Sequence, residues 1–199
     1  AVGNTVTIPP SGTTKVVAIT ENEAAPTVQL STSGSSVAEN GSAITLTATL
    51  SGSTYEDVTV ALTGSGTATS GSDYSIANIT IAAGTTTGSA SFTPIEDSLY
   101  EGSDETATIS ISSVSGGSVT TGATTSQTIT VSDSDSAPTV TLASSSSSVT
   151  EGDSALTLTA TLSVATTSDV TIALNTSGTA TESSDYSAVA DISVPAGST

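Results

Sequence analysis

An internal repeat limits the folds that are open to this chain. The motif Pro-Thr-Val-x-Leu at Pro26 returns at Pro138, 112 residues later. Three further pairs of segments keep the same spacing: 17–23 with 129–135, 44–50 with 156–162, and 66–74 with 178–186. The chain is therefore predicted to hold the C-terminal strands of one repeat (residues 1–25), a complete repeat (26–137) and the N-terminal half of a third (138–199).

Within the complete repeat, Val, Ile and Leu alternate with Thr and Ser, the period expected of strands with one buried face. The alternation predicts seven strands, A to G, at residues 27–30 (continuing near 36–37), 43–50, 57–62, 78–82, 88–94, 106–114 and 124–131. The residues predicted to point inward are Ile44, Leu46, Leu50, Val58, Val60, Leu62, Ile79, Ile81, Phe92, Ile109, Ile111, Ile129 and Val131. Short strands separated by Gly, Ser and Asn turns predict an all-β fold of tandem immunoglobulin-like β-sandwiches.

The charge and the missing residue types exclude several classes of function. Asp and Glu number 19 against the single basic residue Lys15, which argues against binding to nucleic acid or an anionic membrane. The chain has no His and no Cys, so the usual acid–base groups, nucleophiles and thiolate zinc ligands are missing and no enzyme is predicted. No apolar run approaches the length of a membrane span, so membrane insertion is not expected. These features favour an extracellular or cell-surface protein.

The acidic residues of the complete repeat are unevenly placed along it. An antiparallel sandwich brings the A–B, C–D and E–F connections and the end of strand G to one pole. Nine acidic residues fall there: Glu39, Asp73, Glu96, Asp97, Glu101, Asp104, Glu105, Asp133 and Asp135. Only Glu56 and Asp57 fall elsewhere. Calcium takes six to eight oxygen ligands and suits such a cluster, and the alternative is a solvated acidic surface that holds no ion.

The order of these segments resembles the Calx-beta domain, a calcium-binding module of sodium–calcium exchangers that recurs in large bacterial surface proteins and adhesins. The matching segments are VAENG (37–41), GTATSGSDY (66–74), IEDSLYE (95–101) with ET (105–106), and ITVSDSD (129–135). The resemblance implies Ca²⁺ ligands at Glu39, Asp73, Glu96, Asp97, Glu101, Glu105, Asp133 and Asp135. Partial sites are implied at Glu21, Glu23, Glu151 and Asp185. Ser134 departs from the family pattern by interrupting an acidic triplet, and whether Asp104 or Glu105 coordinates stays open.

These observations favour a calcium-rigidified structural repeat of an extracellular stalk, fibre or surface-layer-like protein, in contact with neighbouring repeats or copies. One alternative is an adhesive module for a cell-surface or matrix ligand, which would need exposed aromatic residues. The available tyrosines are Tyr55, Tyr74, Tyr100 and Tyr186. Another alternative is a regulatory calcium sensor.

The phase of the repeats leaves two arrangements open. The chain is expected to be a segment of a longer array. Alternatively, residues 5–8 and 13–20 form an F–G-like hairpin that completes the third repeat of a second copy by strand addition. The segment is favoured, because strand addition would still leave strand E and its acidic loop missing.

Overall fold

The computed structural model describes residues 4–8, 15–19 and 22–199, and these residues form strands, turns and loops, as the all-β prediction requires. The strands, in chain order, are β1 (Asn4–Ile8), β2 (Lys15–Ile19), β3 (Thr27–Thr32), β4 (Ser36–Ala38), β5 (Ile44–Leu50), β6 (Val58–Gly66), β7 (Tyr74–Ile76), β8 (Ile79–Ile81), β9 (Thr87–Pro94), β10 (Leu99–Tyr100), β11 (Glu105–Ser115), β12 (Thr120–Thr121), β13 (Ser126–Ser132), β14 (Val140–Ser144), β15 (Leu158–Leu162), β16 (Ala165–Thr166), β17 (Val170–Ile172) and β18 (Ile192–Val194). In the part of the chain so described, no helix is both long and apolar enough to cross a bilayer.

The complete repeat consists of two five-stranded sheets. One sheet has the order β4-β13-β11-β6-β8 and the other has the order β12-β3-β5-β9-β7. Strand A is divided between them: β3 pairs antiparallel with β5, whereas β4 pairs parallel with β13, with Val37 opposite Val131. The seven predicted strands are all present, and together they place one pole of acidic connections next to the third repeat.

The core lies between the two sheets, because each strand turns alternate apolar side chains inward. On β5, for example, Ile44, Leu46, Ala48 and Leu50 are buried and the Thr residues between them are not. The predicted inward positions are confirmed except at Leu62 and Ile111, which are only partly buried. The prediction missed six further core residues: Val28, Leu30, Ala48, Ala68, Tyr74 and Ala107.

Tyr74 is the most informative of the missed core residues. It is 1% exposed, and its ring stacks on Phe92 with 4.7 Å between the centroids. Gly64 makes room for it, because a Cβ at that position would collide with the Tyr74 hydroxyl. Tyr74 is therefore a core residue, and its inclusion among the tyrosines available for adhesion was wrong.

The third repeat is an open half of the same sandwich. It contains two antiparallel pairs, β14 with β15 and β17 with β18, which correspond to A–B and C–D of the complete repeat. Its inward positions are exposed: Leu142 is 53% exposed, whereas the matching Leu30 is 1% exposed. Residues 4–8 and 15–19 form a separate antiparallel hairpin, β1–β2.

A short parallel pairing joins the complete repeat to the third repeat. Leu99 and Tyr100 of β10 lie opposite Ala165 and Thr166 of β16. The backbone amide of Thr167 donates to the carbonyl of Tyr100 at 3.2 Å. β10 belongs to the acidic E–F connection, so this loop of one repeat contacts the B–C connection of the next.

Candidate metal centre

The C–D turn and the start of the E–F connection are tied together at Asp73. The backbone amide of Thr69 donates to the Asp73 carboxylate, and the Asp73 amide donates to the Thr69 carbonyl at 2.9 Å. The amide of Ile95 then donates to the Asp73 carbonyl at 2.9 Å. These local bonds hold the Asp73 side chain beside the loop that follows β9.

Three carboxylates meet at this point. One oxygen from each of Asp73, Glu101 and Glu105 lies within 4.8 Å of the other two, and all three residues are half-buried. Asp104 is exposed and is not a member of this triad. The structure therefore brings Glu105, rather than Asp104, toward the other acidic side chains.

Asp133, directly after β13, fixes the other side of the E–F connection. Its Oδ2 accepts hydrogen bonds from the amides of Glu101 at 2.8 Å and Gly102 at 3.3 Å. Its Oδ1 accepts from the amide of Asp135 at 2.7 Å. Asp97 caps its own loop, since its Oδ1 accepts from the amide of Leu99 at 2.7 Å. The acidic side chains thus shape the loops as well as lining them.

Ser134 is a functional contact that sequence reasoning did not find. Its hydroxyl lies 2.8 Å and 2.9 Å from the two carboxylate oxygens of Glu96 and donates to them. The sequence signal was present, because Ser134 interrupts a run of acids, but it was interpreted as a departure from the family pattern. The hydroxyl instead supplies Glu96 with a donor where an acid would have repelled it.

Glu39 is the most buried acid of the cluster, with 4% of its surface exposed. Its amide donates to the carbonyl of Ser132 at 3.0 Å, which places the side chain beside the end of β13. Burial raises the pKa of Glu39 to about 7, and the negative charges of Glu101 and Asp97 raise it further.

The other acids of the cluster are perturbed in the same direction. Burial raises the pKa of Glu105 to about 7, with a hydrogen bond and the charge of Asp73 adding to the effect. Burial also raises the pKa of Glu101, followed by the charge of Asp73, and partial burial followed by the charge of Asp133 raises the pKa of Asp135. Each of these groups is harder to ionise because negative charge is concentrated around it.

The donor set fits a hard cation. Three buried carboxylate oxygens have no hydrogen-bond partner: Glu39 Oε2, Glu105 Oε2 and Asp135 Oδ2. Leaving such atoms buried and unpaired is costly, and residues 16–199 contain no Lys or Arg that could pair with them. Oxygen ligands in this number suit Ca²⁺, whereas Mg²⁺ keeps several of its waters and needs fewer protein ligands.

The comparisons with known proteins agree with the order of these segments. The Calx-beta domain model matches residues 21–135 and matches again at 133–193. This chain belongs to the Calx-beta domain family. The sequence resemblance to Calx-beta domains is thereby confirmed at the level of the family. No curated protein sequence matches the chain.

Several solved structures are similar to this Calx-beta chain. An apo-form Calx CBD1 domain is 20% identical with a TM-score of 0.45, and the match covers 55% of this chain and 99% of that one. The calcium binding domain CBD12 of CALX1.1 is 22% identical with a TM-score of 0.42, covering 49% of this chain and 40% of that one. A two-domain protein of unknown function from Bacteroides fragilis is 10% identical with a TM-score of 0.41, covering 74% and 68%.

The structure places the residues predicted for the complete site at one pole, and their role as ligands stays a prediction. Asp73, Glu101 and Glu105 form the triad. The charges of Glu101, Asp97 and Asp133 act on Glu39, and those of Asp133, Glu96 and Asp97 act on Asp135. Glu56 and Asp57, which were expected elsewhere, accept hydrogen bonds from the amides of Gly117 and Ala83, in the F–G and D–E connections.

The predicted partial sites are not assembled in the same way. Asp185 repeats the Asp73 turn by accepting from the amide of Thr181 at 2.7 Å, but it is exposed. Glu151 is exposed, whereas the matching Glu39 is buried. Glu23 is exposed, and Glu21 lies outside the described residues. A missing second half of the sandwich explains the exposure of the third-repeat acids, since the E–F connection and strand G supply most of the cluster.

Proposed function

We propose that the complete repeat is a non-catalytic calcium-binding module that stiffens a tandem array of Calx-beta domains. One observation carries the proposal: buried, unpartnered carboxylate oxygens of Glu39, Glu105 and Asp135 gather at one pole with no basic side chain to neutralise them. A bound Ca²⁺ supplies the positive charge and accepts the oxygen ligands. Glu39, Asp73, Glu101 and Glu105 would hold it, with Asp97, Asp133 and Asp135 beside them.

The position of the cluster supports a stiffening role. Asp97 and Glu101 flank β10, and β10 pairs with β16 of the next repeat. Asp133 ties the same loop to the segment that leads from β13 toward Pro138. Neutralising the repulsion within the loop would therefore order two connections between repeats, the strand pairing and the linker.

An extracellular or cell-surface stalk or fibre is the setting that this role favours. The net charge of −18 keeps copies apart and suits a medium that contains calcium. The adhesive alternative loses one of its candidate aromatic residues, because Tyr74 is buried in the core.

Thermal unfolding of the 199-residue chain in calcium, magnesium and chelator tests the proposal. Calcium at about 100 times its dissociation constant should stabilise the folded state by about 2.7 kcal/mol. Magnesium should have a much smaller effect. The variant Glu105→Gln should lose most of the response to calcium, whereas Glu56→Gln, a matched change at the other pole, should keep it. A melting temperature that calcium does not alter would show that the cluster is only a solvated acidic surface.

A further inference from the structure

The open face of the third repeat corresponds to a surface that the complete repeat keeps buried. Val140 and Leu142 are 46% and 53% exposed, whereas the matching Val28 and Leu30 are 0% and 1% exposed. Leu156 and Leu158 are exposed in the same way at the positions of Ile44 and Leu46. Together with Leu174, Val189 and Ile192, these leucines line an open cavity of about 860 Å³. In the complete repeat, β11 and β13 cover this face.

The hairpin β1–β2 has the register of the β11–β13 pair that is missing from the third repeat. Val17 lies opposite Val6, as Ile129 lies opposite Ala107, and Ile19 lies opposite Asn4, as Val131 lies opposite Glu105. Val17 is 51% exposed, whereas the matching Ile129 is fully buried. The hairpin therefore presents F–G backbone and apolar sequence without a sandwich to cover.

The third repeat also has a free strand edge of matching length. β6 runs from Val58 to Gly66, and its last six residues pair with β11. The corresponding strand β17 ends at Ile172, and residues 173–178 form no strand. The part of strand C that fails to form is the part that needs strand F beside it.

The charges of the two pieces are complementary. Residues 1–20 contain Lys15 and no acid, so this segment carries the only positive side chain of the chain. The third repeat contains six acids, namely Glu151, Asp153, Asp169, Glu182, Asp185 and Asp191, and no base. Lys15 also occupies the register position of Gln127, whose amide donates to the carbonyl of Leu30 at 2.9 Å across the same face.

We propose that hairpin β1–β2 of one copy of this chain docks on the open third repeat of a second copy, as strands F and G of that sandwich. β1 adds to the edge of residues 170–178, and Val17 enters the apolar face beside Leu142. The edge of β15 that corresponds to the β5–β9 pairing is left uncovered. The contact is heterologous, so it joins copies head to tail. It does not depend on calcium binding at the complete repeat.

A cysteine pair tests the register of this contact, since the chain has no cysteine of its own. The register of β11 on β6 places Thr7 of one copy opposite Ser177 of the second. Copies carrying Thr7→Cys, mixed with copies carrying Ser177→Cys and oxidised, should give a disulfide-linked heterodimer. Thr171→Cys is the matched control, because it lies on the same strand but roughly 20 Å away from the contact position. Equal yields from the two mixtures, or no cross-linked product, would overturn the proposal.

Sedimentation velocity over a range of concentrations provides the second measurement. The chain should associate as its concentration rises. Val17→Asp should weaken association by about 100-fold or more, because an ionised carboxylate would be buried without a partner. Val16→Asp adds the same charge to the same strand at the outward position of Thr128, and it should associate more nearly like the unaltered chain. A chain that stays monomeric, or two variants that behave alike, would refute the docking.

Discussion

At the scale of single residues, the same side chain has opposite surroundings at the two poles of the sandwich. Glu39 is buried among negative charges with one oxygen unpaired, whereas Glu56 is exposed and accepts from the amide of Gly117 at 3.4 Å. Ionising Glu39 without a metal is therefore costly, and ionising Glu56 is not. The metal-free protein is held together in spite of Glu39.

Replacing Glu39 by Gln should separate stability from calcium binding. At pH 8 without metal, the neutral amide removes a repelled charge, so the variant should be more stable by about 1 kcal/mol, or roughly 4–8 °C in melting temperature. In calcium the order should reverse, since a ligand has been lost. Glu56→Gln should change neither melting temperature appreciably, and a loss of metal-free stability in Glu39→Gln would contradict this account.

The raised pKa values also predict how stability depends on pH. The folded protein holds protons on Glu39 and Glu105 up to about pH 7, whereas the ordinary pKa of Glu is 4.5. Between these values the folded state binds more protons than the unfolded chain, so the free energy of unfolding should fall as the pH rises from about 5 to 8. Urea unfolding in chelator measures this trend. Calcium competes with the protons, so its affinity should rise over the same range. A metal-free stability that increased with pH would be inconsistent with these shifts.

At the scale of strands, the length of each element decided whether the sequence predicted it. The seven long alternating segments were correctly predicted, because several successive residues report the same buried face. β7, β10 and β12 have two or three residues each, too few for a period to be visible. Tyr74 was missed for the same reason, since its burial depends on β7 and on the space above Gly64 in the opposite sheet.

That space can be tested by substitution at Gly64. The third repeat has Thr176 at the matching position, and there the hydroxyl of the half-exposed Tyr186 donates to the Thr176 hydroxyl at 3.0 Å. Gly64→Thr should displace Tyr74 from its stack on Phe92 and destabilise the complete repeat by about 1–3 kcal/mol. Gly52→Thr is the control, because nothing lies within 4 Å of a Cβ at Gly52. Equal urea midpoints for the two variants would show that Tyr74 does not need the glycine.

At the scale of the whole chain, the sequence predicted the acidic pole but not the contact beside it. The pole follows from which connections share an end of an antiparallel sandwich, and the carboxylates of 39, 73, 101 and 105 can be assigned to those connections. The pairing of β10 with β16 joins residues 66 positions apart through backbone atoms alone, at Leu99 and Ala165. No side-chain pattern encodes such a contact, and the same holds for the Ser134 hydroxyl on Glu96.

Removing one backbone donor tests whether this pairing transmits stiffness. Thr167→Pro deletes the amide that donates to Tyr100, so the calcium-dependent extension of the chain in small-angle X-ray scattering should decrease. The melting temperature of the complete repeat should stay nearly unchanged. Tyr55 is the matching residue of the complete repeat and is 71% exposed, so Tyr55→Pro provides the same change away from the pairing. A scattering response that is identical in both variants would mean that the linker alone carries the effect.

The parallel ladder between β4 and β13 determines how the complete repeat bears a tensile load. Strand A enters the sandwich at one end of the chain and strand G leaves at the other, and Ser36, Val37 and Ala38 lie alongside Thr130, Val131 and Ser132. Because the two strands run in the same direction, tension on the termini acts along the strands and loads their hydrogen bonds in shear. These bonds must then break together rather than one after another, and Glu39 lies immediately beyond them, where its amide adds one further bond to Ser132.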